Sequence, residues 1–251
     1  MTPLARVSLR GLRGAGPLTV FLDVDGTLAP FVGDPSRARI LPDAGRAIRR
    51  LRRSGHRVVL VSGRRALDAA RVVRLPVDGV LGSHGAECLE GPRVVPWLGH
   101  RADRARIAAA GRALAGRFAG RPGIRIEDKR WSLAVHVVGP AHAVEVRAEA
   151  VRLLHGLNVV VRAGRRVVDI RPPGVDKGRA ALRWLSRHAR RTPRRAVLYA
   201  GDDTTDRDAF RALGPRAFTI AVGRHVTGAR YRSAGPIAFA RWLLRLAEAV
   251  Q

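Results

Sequence analysis

Short apolar runs alternate along the chain with segments whose apolar residues recur at helical spacing. Residues 18–22 (LTVFL) are apolar and partly β-branched, which predicts a short buried strand. Residues 42–55 predict a helix, because their apolar residues lie on one helical face between an initial proline and a final glycine. A second apolar run at 56–61 completes a strand–helix–strand unit. Such a unit places its two strands parallel in one sheet.

The alternation of strands and helices is interrupted once. Between 104 and 171 the pattern predicts a helix, two strands, a second helix and two further strands, which is typical of an α+β domain. After this block the alternation resumes with a helix from Lys177, strands at 196–200 and 217–222, and a helix near 236–249.

We therefore expect an α/β fold with two parts. Residues 1–103 and 172–251 would form the core domain, a doubly wound and mostly parallel sheet of Rossmann-like type, and residues 104–171 would form an inserted α+β domain. Residues 1–17 show no clear period, and we expect them to form a loosely ordered lead-in.

Length and composition narrow the class of protein. The chain has 251 residues, 46% of them apolar, so it can bury a sizeable core. Its one cysteine, Cys88, excludes a disulfide framework, and no segment resembles a secretion signal or reaches the length of a membrane span. We expect a cytoplasmic protein without membrane contact, and we take it to be a monomer.

Basic residues outnumber acidic residues by 47 to 20, which gives a formal charge of +27. Such a balance is typical of proteins that bind nucleic acid. The basic residues are almost all arginines, however, and they are scattered, without a basic tail, a zinc-finger spacing or interleaved aromatic residues. We expect a solvated arginine surface that has no specific nucleic-acid partner and attracts small anionic substrates. A nucleic-acid-binding protein on the same fold is the alternative.

Three of the predicted core strands end in polar residues suited to chemistry. They are Asp23 and Asp25 after the first strand, Ser62 after the second, and Asp202, Asp203 and Asp206 after the strand at 196–200. The last group follows a buried strand, so we expect it not to lie on a helix face. Open α/β sheets bind ligands at the carboxyl ends of their strands, and carboxylate oxygens suit Mg²⁺. Taken alone, the first pair could also be a solvated acidic turn.

Together these residues predict phosphoryl transfer. Asp23 would attack phosphorus, and Asp25 would act first as general acid and then as general base. Ser62 and Lys177, a lysine at a helix N-terminus, would hold the phosphoryl oxygens. The predicted Mg²⁺ ligands are Asp23 and Asp202, together with the backbone carbonyl of Asp25, and Asp206 would either bind the ion directly or support its ligands.

The order of these motifs resembles that of the haloacid dehalogenase superfamily of phosphatases. The matching segments are DVDGT at 23–27, Ser62, Lys177 and GDDTTD at 201–206. Other segments resemble the trehalose-6-phosphate phosphatases, namely GSHGAE at 82–87, EDKRWSLAVH at 127–136 and RPPGVDKG at 171–178. The resemblance implies Mg²⁺-dependent hydrolysis of trehalose 6-phosphate through an aspartyl-phosphate, with the inserted domain as a mobile cap.

The resemblance also implies which residues contact the substrate. They are Thr27, Arg64, His84, Glu127, Lys129 and Asp169. Two positions depart from the family pattern, since Val138 stands where the family has an arginine and Asp169 where it has a glutamate. Both departures lie in the inserted domain, so they concern sugar recognition rather than the chemistry. A phosphatase for another sugar or polyol phosphate is therefore an alternative.

Overall fold

The computed structural model describes residues 1–6, 16–164, 166–189 and 196–250. The chain divides into two compact units. The first unit contains Met1–Trp97 and Asp176–Gln251, and the second contains Leu98–Val175. The second unit thus begins and ends in connecting segments, whereas the predicted limits of the inserted domain, 104 and 171, fall within a helix and at the end of a strand.

The described residues form thirteen strands and seven helices of at least eight residues. The strands are β1 (Thr2–Pro3), β2 (Leu18–Asp23), β3 (Arg57–Val61), β4 (Gly79–Gly82), β5 (Glu87–Glu90), β6 (Arg93–Pro96), β7 (Arg125–Asp128), β8 (Leu133–His136), β9 (Val160–Ala163), β10 (Val167–Arg171), β11 (Ala196–Gly201), β12 (Phe218–Val222) and β13 (Tyr231–Ser233). The helices are α1 (Pro42–Arg53), α2 (Ala66–Val73), α3 (Arg101–Phe118), α4 (Pro140–Leu153), α5 (Lys177–Ala189), α6 (Asp206–Leu213) and α7 (Pro236–Ala249).

The strands of the first unit form one sheet in the order β1-β13-β12-β11-β2-β3-β4-β5-β6. Neighbouring strands from β1 to β4 in this order are parallel, and β5 and β6 continue the sheet as an antiparallel hairpin. The chain adds β3 and β4 on one side of β2, and β11, β12 and β13 on the other side. This reversal of direction places a ligand crevice at the carboxyl end of β2.

Helices cover both faces of this sheet, as the doubly wound prediction requires. Ile48 of α1, Val72 of α2 and Phe239 of α7 share one apolar core with the strands. On the other face, Trp184 of α5 packs edge-on against Phe21 of β2, with 5.8 Å between the ring centroids. The sheet is therefore buried on both sides, which explains why its strands read as continuous apolar runs.

Side chains of β2 alternate between these two layers. Leu18, Val20 and Leu22 belong to the core shared with α1, α2 and α7. Phe21 faces α5, and Asp23, two residues further on, lies on the same side of the sheet. The pleat of β2 thus directs the Asp23 carboxylate toward the helix that begins with Lys177.

The second unit is a four-stranded antiparallel sheet in the order β7-β8-β10-β9. Two helices, α3 and α4, supply Leu114 and Val146 to an apolar core that also contains Val135 of β8 and Ile170 of β10. The helices thus cover one face of this sheet, and alternate residues of its strands lie on the opposite face.

Two expectations about local structure were wrong. Thr2–Pro3 pairs with β13 and Leu4 is buried, so residues 1–6 are not a loosely ordered lead-in, while residues 7–15 lie outside the described part of the chain. Asp206 is the first residue of α6, so it lies on a helix rather than in a loop after β11. An acid in the first turn is favourable, because the helix N-terminus carries partial positive charge.

Among the described residues, we find no helix with both the length and the apolar character needed to cross a membrane.

Candidate active site

Lys177 binds two buried carboxylates at the carboxyl end of β2. Its Nζ donates hydrogen bonds of 2.8 Å to Asp23 Oδ1 and of 2.8 Å to Asp206 Oδ1. Lys177 is 2% exposed, Asp23 is 4% exposed and Asp206 is fully buried. Buried charges persist only when they are paired and hydrogen-bonded, because their removal from water is costly. The three side chains therefore depend on one another.

Further hydrogen bonds hold Asp206 in place. Its Oδ1 also accepts from the Tyr199 hydroxyl at 2.8 Å, and its Oδ2 accepts from the Asp203 N–H at 3.0 Å. A methyl group on Gly201 would lie 2.1 Å from Asp206 Cγ, so the close approach of this carboxylate requires glycine. Tyr199 was not among the site residues predicted from the sequence. The sequence feature that could have indicated its role is a tyrosine in an apolar core strand, since the hydroxyl of a buried tyrosine usually has a hydrogen-bond partner.

Asp202 completes a cluster of three carboxylates. One oxygen each of Asp23, Asp202 and Asp206 lies within 4.8 Å of the others. Asp202 Oδ1 is buried and has no hydrogen-bond partner among the residues that the structure describes. A methyl group on Gly26, where φ is +78°, would lie 2.2 Å from Asp202 Oδ2. Glycine at this turn therefore provides both the left-handed backbone and the space for the carboxylate.

The crowding of charge shifts the pKa values of the cluster. Burial raises the pKa of Asp23 to about 7, although Lys177 acts in the opposite direction. Burial, with repulsion from Asp23 and Asp206, raises the pKa of Asp202 to about 10. Burial alone would lower the pKa of Lys177, but Asp206 and Asp23 more than compensate and hold it above its usual value. The cluster thus concentrates more negative charge than one lysine neutralises.

These residues fit a divalent cation. Hard cations take oxygen ligands, and Asp202 offers a buried carboxylate oxygen without a partner in the described structure. A cation beside Asp23 and Asp202 would also offset the burial and the repulsion that raise their pKa values. Asp206 already accepts three hydrogen bonds, which favours a role in orienting Lys177.

The carboxylate of Asp25 does not belong to this cluster. It forms a two-pronged ion pair with Arg64, in which Nε lies 2.6 Å from Oδ2 and Nη2 lies 2.7 Å from Oδ1. Paired hydrogen bonds of this kind hold the carboxylate in one orientation and also strengthen the ion pair. Arg64, which we predicted to contact substrate, thus holds the Asp25 carboxylate in this structure.

Three more of the predicted residues follow the carboxyl ends of β2, β3 and β4. Thr27 lies in the turn after β2, and its buried Oγ1 has no hydrogen-bond partner in the described part of the chain. Ser62 follows β3, and its carbonyl accepts from the His84 N–H at 2.9 Å. His84 follows β4 with a φ of +58°, a strained value for a residue with a side chain. All three residues are buried.

In the second unit, Glu127 and Asp169 share the sheet face that lies opposite α3 and α4. Each pairs in register with Ala134 of the central strand β8, so the two acids flank one small residue. His136 Nε2 lies 2.7 Å from Glu127 Oε2, and this hydrogen bond lowers the pKa of Glu127. Lys129 lies in the turn that follows β7.

The fold of the chain is that of the haloacid dehalogenase superfamily. A phosphatase of this superfamily from Bacteroides thetaiotaomicron is similar with a TM-score of 0.65 and 16% identity, covering 98% of this chain and 99% of that chain. The C-terminal domain of a C. albicans trehalose-6-phosphate phosphatase gives a TM-score of 0.83 and 22% identity, over 99% and 98% of the two chains. The trehalose-6-phosphate phosphatase of Aspergillus fumigatus gives 0.68 and 26%, over 99% and 100%.

Sequence comparison defines the family more narrowly. The family model described as "Trehalose-phosphatase" matches residues 21–237. Trehalose-phosphate phosphatases of Mycobacterium marinum and Mycobacterium avium are 35% and 36% identical, over 91% and 96% of this chain. The chain spans 61% and 64% of the length of those two relatives. It belongs to the trehalose-phosphatase family.

We predict that Lys177→Met lowers the free energy of unfolding by about 3–5 kcal/mol, because it leaves Asp23 and Asp206 buried without their cation. Urea denaturation in the absence of divalent ions measures this loss. Lys129→Met changes the only other lysine of the chain, which is partly exposed, and should stay within about 0.5 kcal/mol of the wild type. Equal stability of the two variants would contradict the prediction.

Proposed function

We propose that the protein hydrolyses trehalose 6-phosphate to trehalose and phosphate, with Mg²⁺ as cofactor. The supporting observation is the buried contact of Lys177 with Asp23 beside Asp202. A carboxylate can attack a phosphoryl group only when nearby cations offset the repulsion between the two anions. Family membership supports the substrate, since the mycobacterial relatives carry the name trehalose-phosphate phosphatase.

In the first step, a carboxylate oxygen of Asp23 attacks phosphorus, and the bond between phosphorus and the sugar oxygen breaks. Asp25 gives its proton to that departing oxygen. To carry the proton, Asp25 has to loosen its ion pair with Arg64. The phosphoryl oxygens of bound substrate would give the Arg64 guanidinium another acceptor, which couples substrate binding to release of the general acid.

In the second step, water attacks phosphorus and the bond from phosphorus to Asp23 breaks. Asp25, now a carboxylate, takes a proton from the attacking water, so both residues return to their initial states. Lys177 keeps its hold on Asp23 Oδ1 throughout. The hydroxyls of Ser62 and Thr27 would donate to the phosphoryl oxygens, where negative charge builds up.

Asp23 and Asp202 would hold the Mg²⁺ ion, with the backbone carbonyl of Asp25 as a further oxygen ligand. When bound, the ion supplies positive charge that neutralises the phosphoryl oxygens and the attacking carboxylate. Of the two roles that the sequence left open for Asp206, we favour the supporting one, in which Asp206 orients Lys177 through the contacts described above.

We infer that the second unit recognises the sugar as a cap domain, through Glu127, Lys129 and Asp169. Two features leave open which sugar the second unit recognises. Val138, which stands in place of the family arginine, is 67% exposed, and Asp169 is one methylene shorter than the family glutamate. A phosphatase for another sugar or polyol phosphate is therefore the second candidate.

We predict that kcat/KM for trehalose 6-phosphate exceeds that for glucose 6-phosphate by at least about tenfold, since a site built around the second sugar leaves polar groups unpaired when that sugar is missing. Phosphate release with Mg²⁺ measures both values.

EDTA and the Asp23→Asn variant should each abolish turnover. Equal values for the two substrates would favour the second candidate, and turnover by Asp23→Asn would refute the covalent mechanism.

A second prediction concerns the cap. Lys129→Ala should raise KM for trehalose 6-phosphate by roughly tenfold, because it removes a charge that binds the sugar hydroxyls, and should leave hydrolysis of p-nitrophenyl phosphate unchanged. Steady-state kinetics with both substrates measures the difference. Arg130→Ala, a neighbouring exposed cation, is the control. The same loss on both substrates would place Lys129 outside sugar recognition.

A further inference from the structure

The loop that carries Ser62 and Arg64 is held by contacts from other segments. It connects β3 to α2 over four residues, and within it the Arg64 N–H donates to Ser62 Oγ at 3.1 Å. Helix α2 begins at Ala66, and the preceding residue, Arg65, provides no side-chain cap. The first N–H groups of a helix need acceptors from elsewhere.

Glu87 provides such an acceptor from a different part of the chain. Its Oε1 accepts from the Ala66 N–H at 2.7 Å, although Glu87 is the first residue of β5, 21 positions later. Glu87 is 3% exposed. Negative charge at a helix N-terminus is favourable, and a hydrogen bond from a backbone N–H to a carboxylate is among the stronger ones. Glu87 belongs to the segment GSHGAE, and the sequence predicted no role for it.

The segment that leads to Glu87 holds the same loop by its backbone. The Ser83 N–H donates to the Arg64 carbonyl at 2.6 Å, and the His84 N–H donates to the Ser62 carbonyl at 2.9 Å. Both donors have left-handed backbones, with φ of +49° and +58°. Such strain persists only where the surroundings fix the conformation, and it concentrates at functional sites.

We propose that Glu87 is a positioning residue of the active site. Its buried carboxylate fixes the start of α2, and with it the loop that presents Ser62 to phosphate and Arg64 to Asp25. The inference rests on the proposed function only in the roles of Ser62 and Arg64. Glu87 acts on the chemistry through the backbone of another segment.

Two variants of Glu87 distinguish the length of its side chain from its charge. Glu87→Gln keeps an acceptor oxygen at the same distance from the backbone, whereas Glu87→Asp keeps the charge but is one methylene shorter. If only the charge of Glu87 mattered, Glu87→Gln would lower kcat and Glu87→Asp would not. A role in fold stability alone would lower the free energy of unfolding without changing kcat of the folded enzyme.

Asp78 supplies a matched control at the other end of β3. Its Oδ2 accepts from the Val58 N–H at 2.9 Å, so it also joins a carboxylate to a backbone N–H of the same unit. Asp78→Ala removes this contact, and the ion pair of Asp78 with Arg52 Nε at 3.1 Å, far along the strand from Ser62. It should destabilise the protein and leave kcat unchanged.

The test is kcat for phosphate release from trehalose 6-phosphate with Mg²⁺, measured well below each melting temperature. Glu87→Asp should lower kcat by roughly ten- to hundredfold, because displacement of catalytic groups by about an ångström has this effect, and Glu87→Gln should stay within about threefold of the wild type. Wild-type kcat in Glu87→Asp, an equal loss in Glu87→Gln, or an equal loss in Asp78→Ala would overturn the proposal.

Hydrogen exchange of the amides at 62–66 gives a readout that does not depend on turnover. Glu87→Asp should speed exchange at Ala66 and Arg64, and Glu87→Gln and Asp78→Ala should not. Unchanged exchange in Glu87→Asp would refute the positioning role even if the protein hydrolyses trehalose 6-phosphate. A wild-type protein inactive on every phosphomonoester would refute the proposed function instead, and the exchange data would still decide the role of Glu87.

Discussion

The contact of one buried lysine with two buried carboxylates constrains the rest of the active site. Lys177 cannot be buried without Asp23 and Asp206, and those acids cannot be buried together without Lys177. The three residues come from β2, α5 and α6, and two of them are 154 positions apart in the chain. The surrounding architecture brings them together, through the pleat of β2, the start of α5 at Lys177, and the contacts of Asp206 with Tyr199 and the Asp203 backbone.

The site separates two carboxylates that lie two residues apart in the chain. Asp23 is buried beside Lys177 and Asp202, where a metal ion would neutralise it. Asp25 is partly exposed and bound to Arg64. In the proposed mechanism, these different surroundings suit the first acid for attack on phosphorus and the second for moving protons. The turn at Gly26, directly after Asp25, leaves room for the Asp202 carboxylate. The segment DVDG thus provides the two acids and also the space that the carboxylate cluster needs.

Sequence patterns predicted those parts of the molecule whose signals are local. Residues 18–22 form a strand because their apolar run is long enough to cross a core, and Lys177 was recognisable because lysine is rare in this arginine-rich chain. Contacts between distant segments left no local signal. The pairing of Thr2–Pro3 with β13, the hydroxyl of Tyr199 on Asp206, and the hold of Glu87 on Ala66 all depend on tertiary structure. The start of α6 at Asp206 was missed because DDTTD reads as a turn.

The central claim is that Asp23 carries the phosphoryl group while Lys177 holds its carboxylate. The most direct measurement is a crystal structure of the protein with Mg²⁺ and beryllofluoride, which binds carboxylates as a mimic of the phosphoryl group. We predict beryllium bonded to an Asp23 oxygen, with Lys177 Nζ still within hydrogen-bonding distance of that side chain and Asp202 on the metal. Beryllofluoride bonded to another residue, or Mg²⁺ bound without Asp202, would contradict the account.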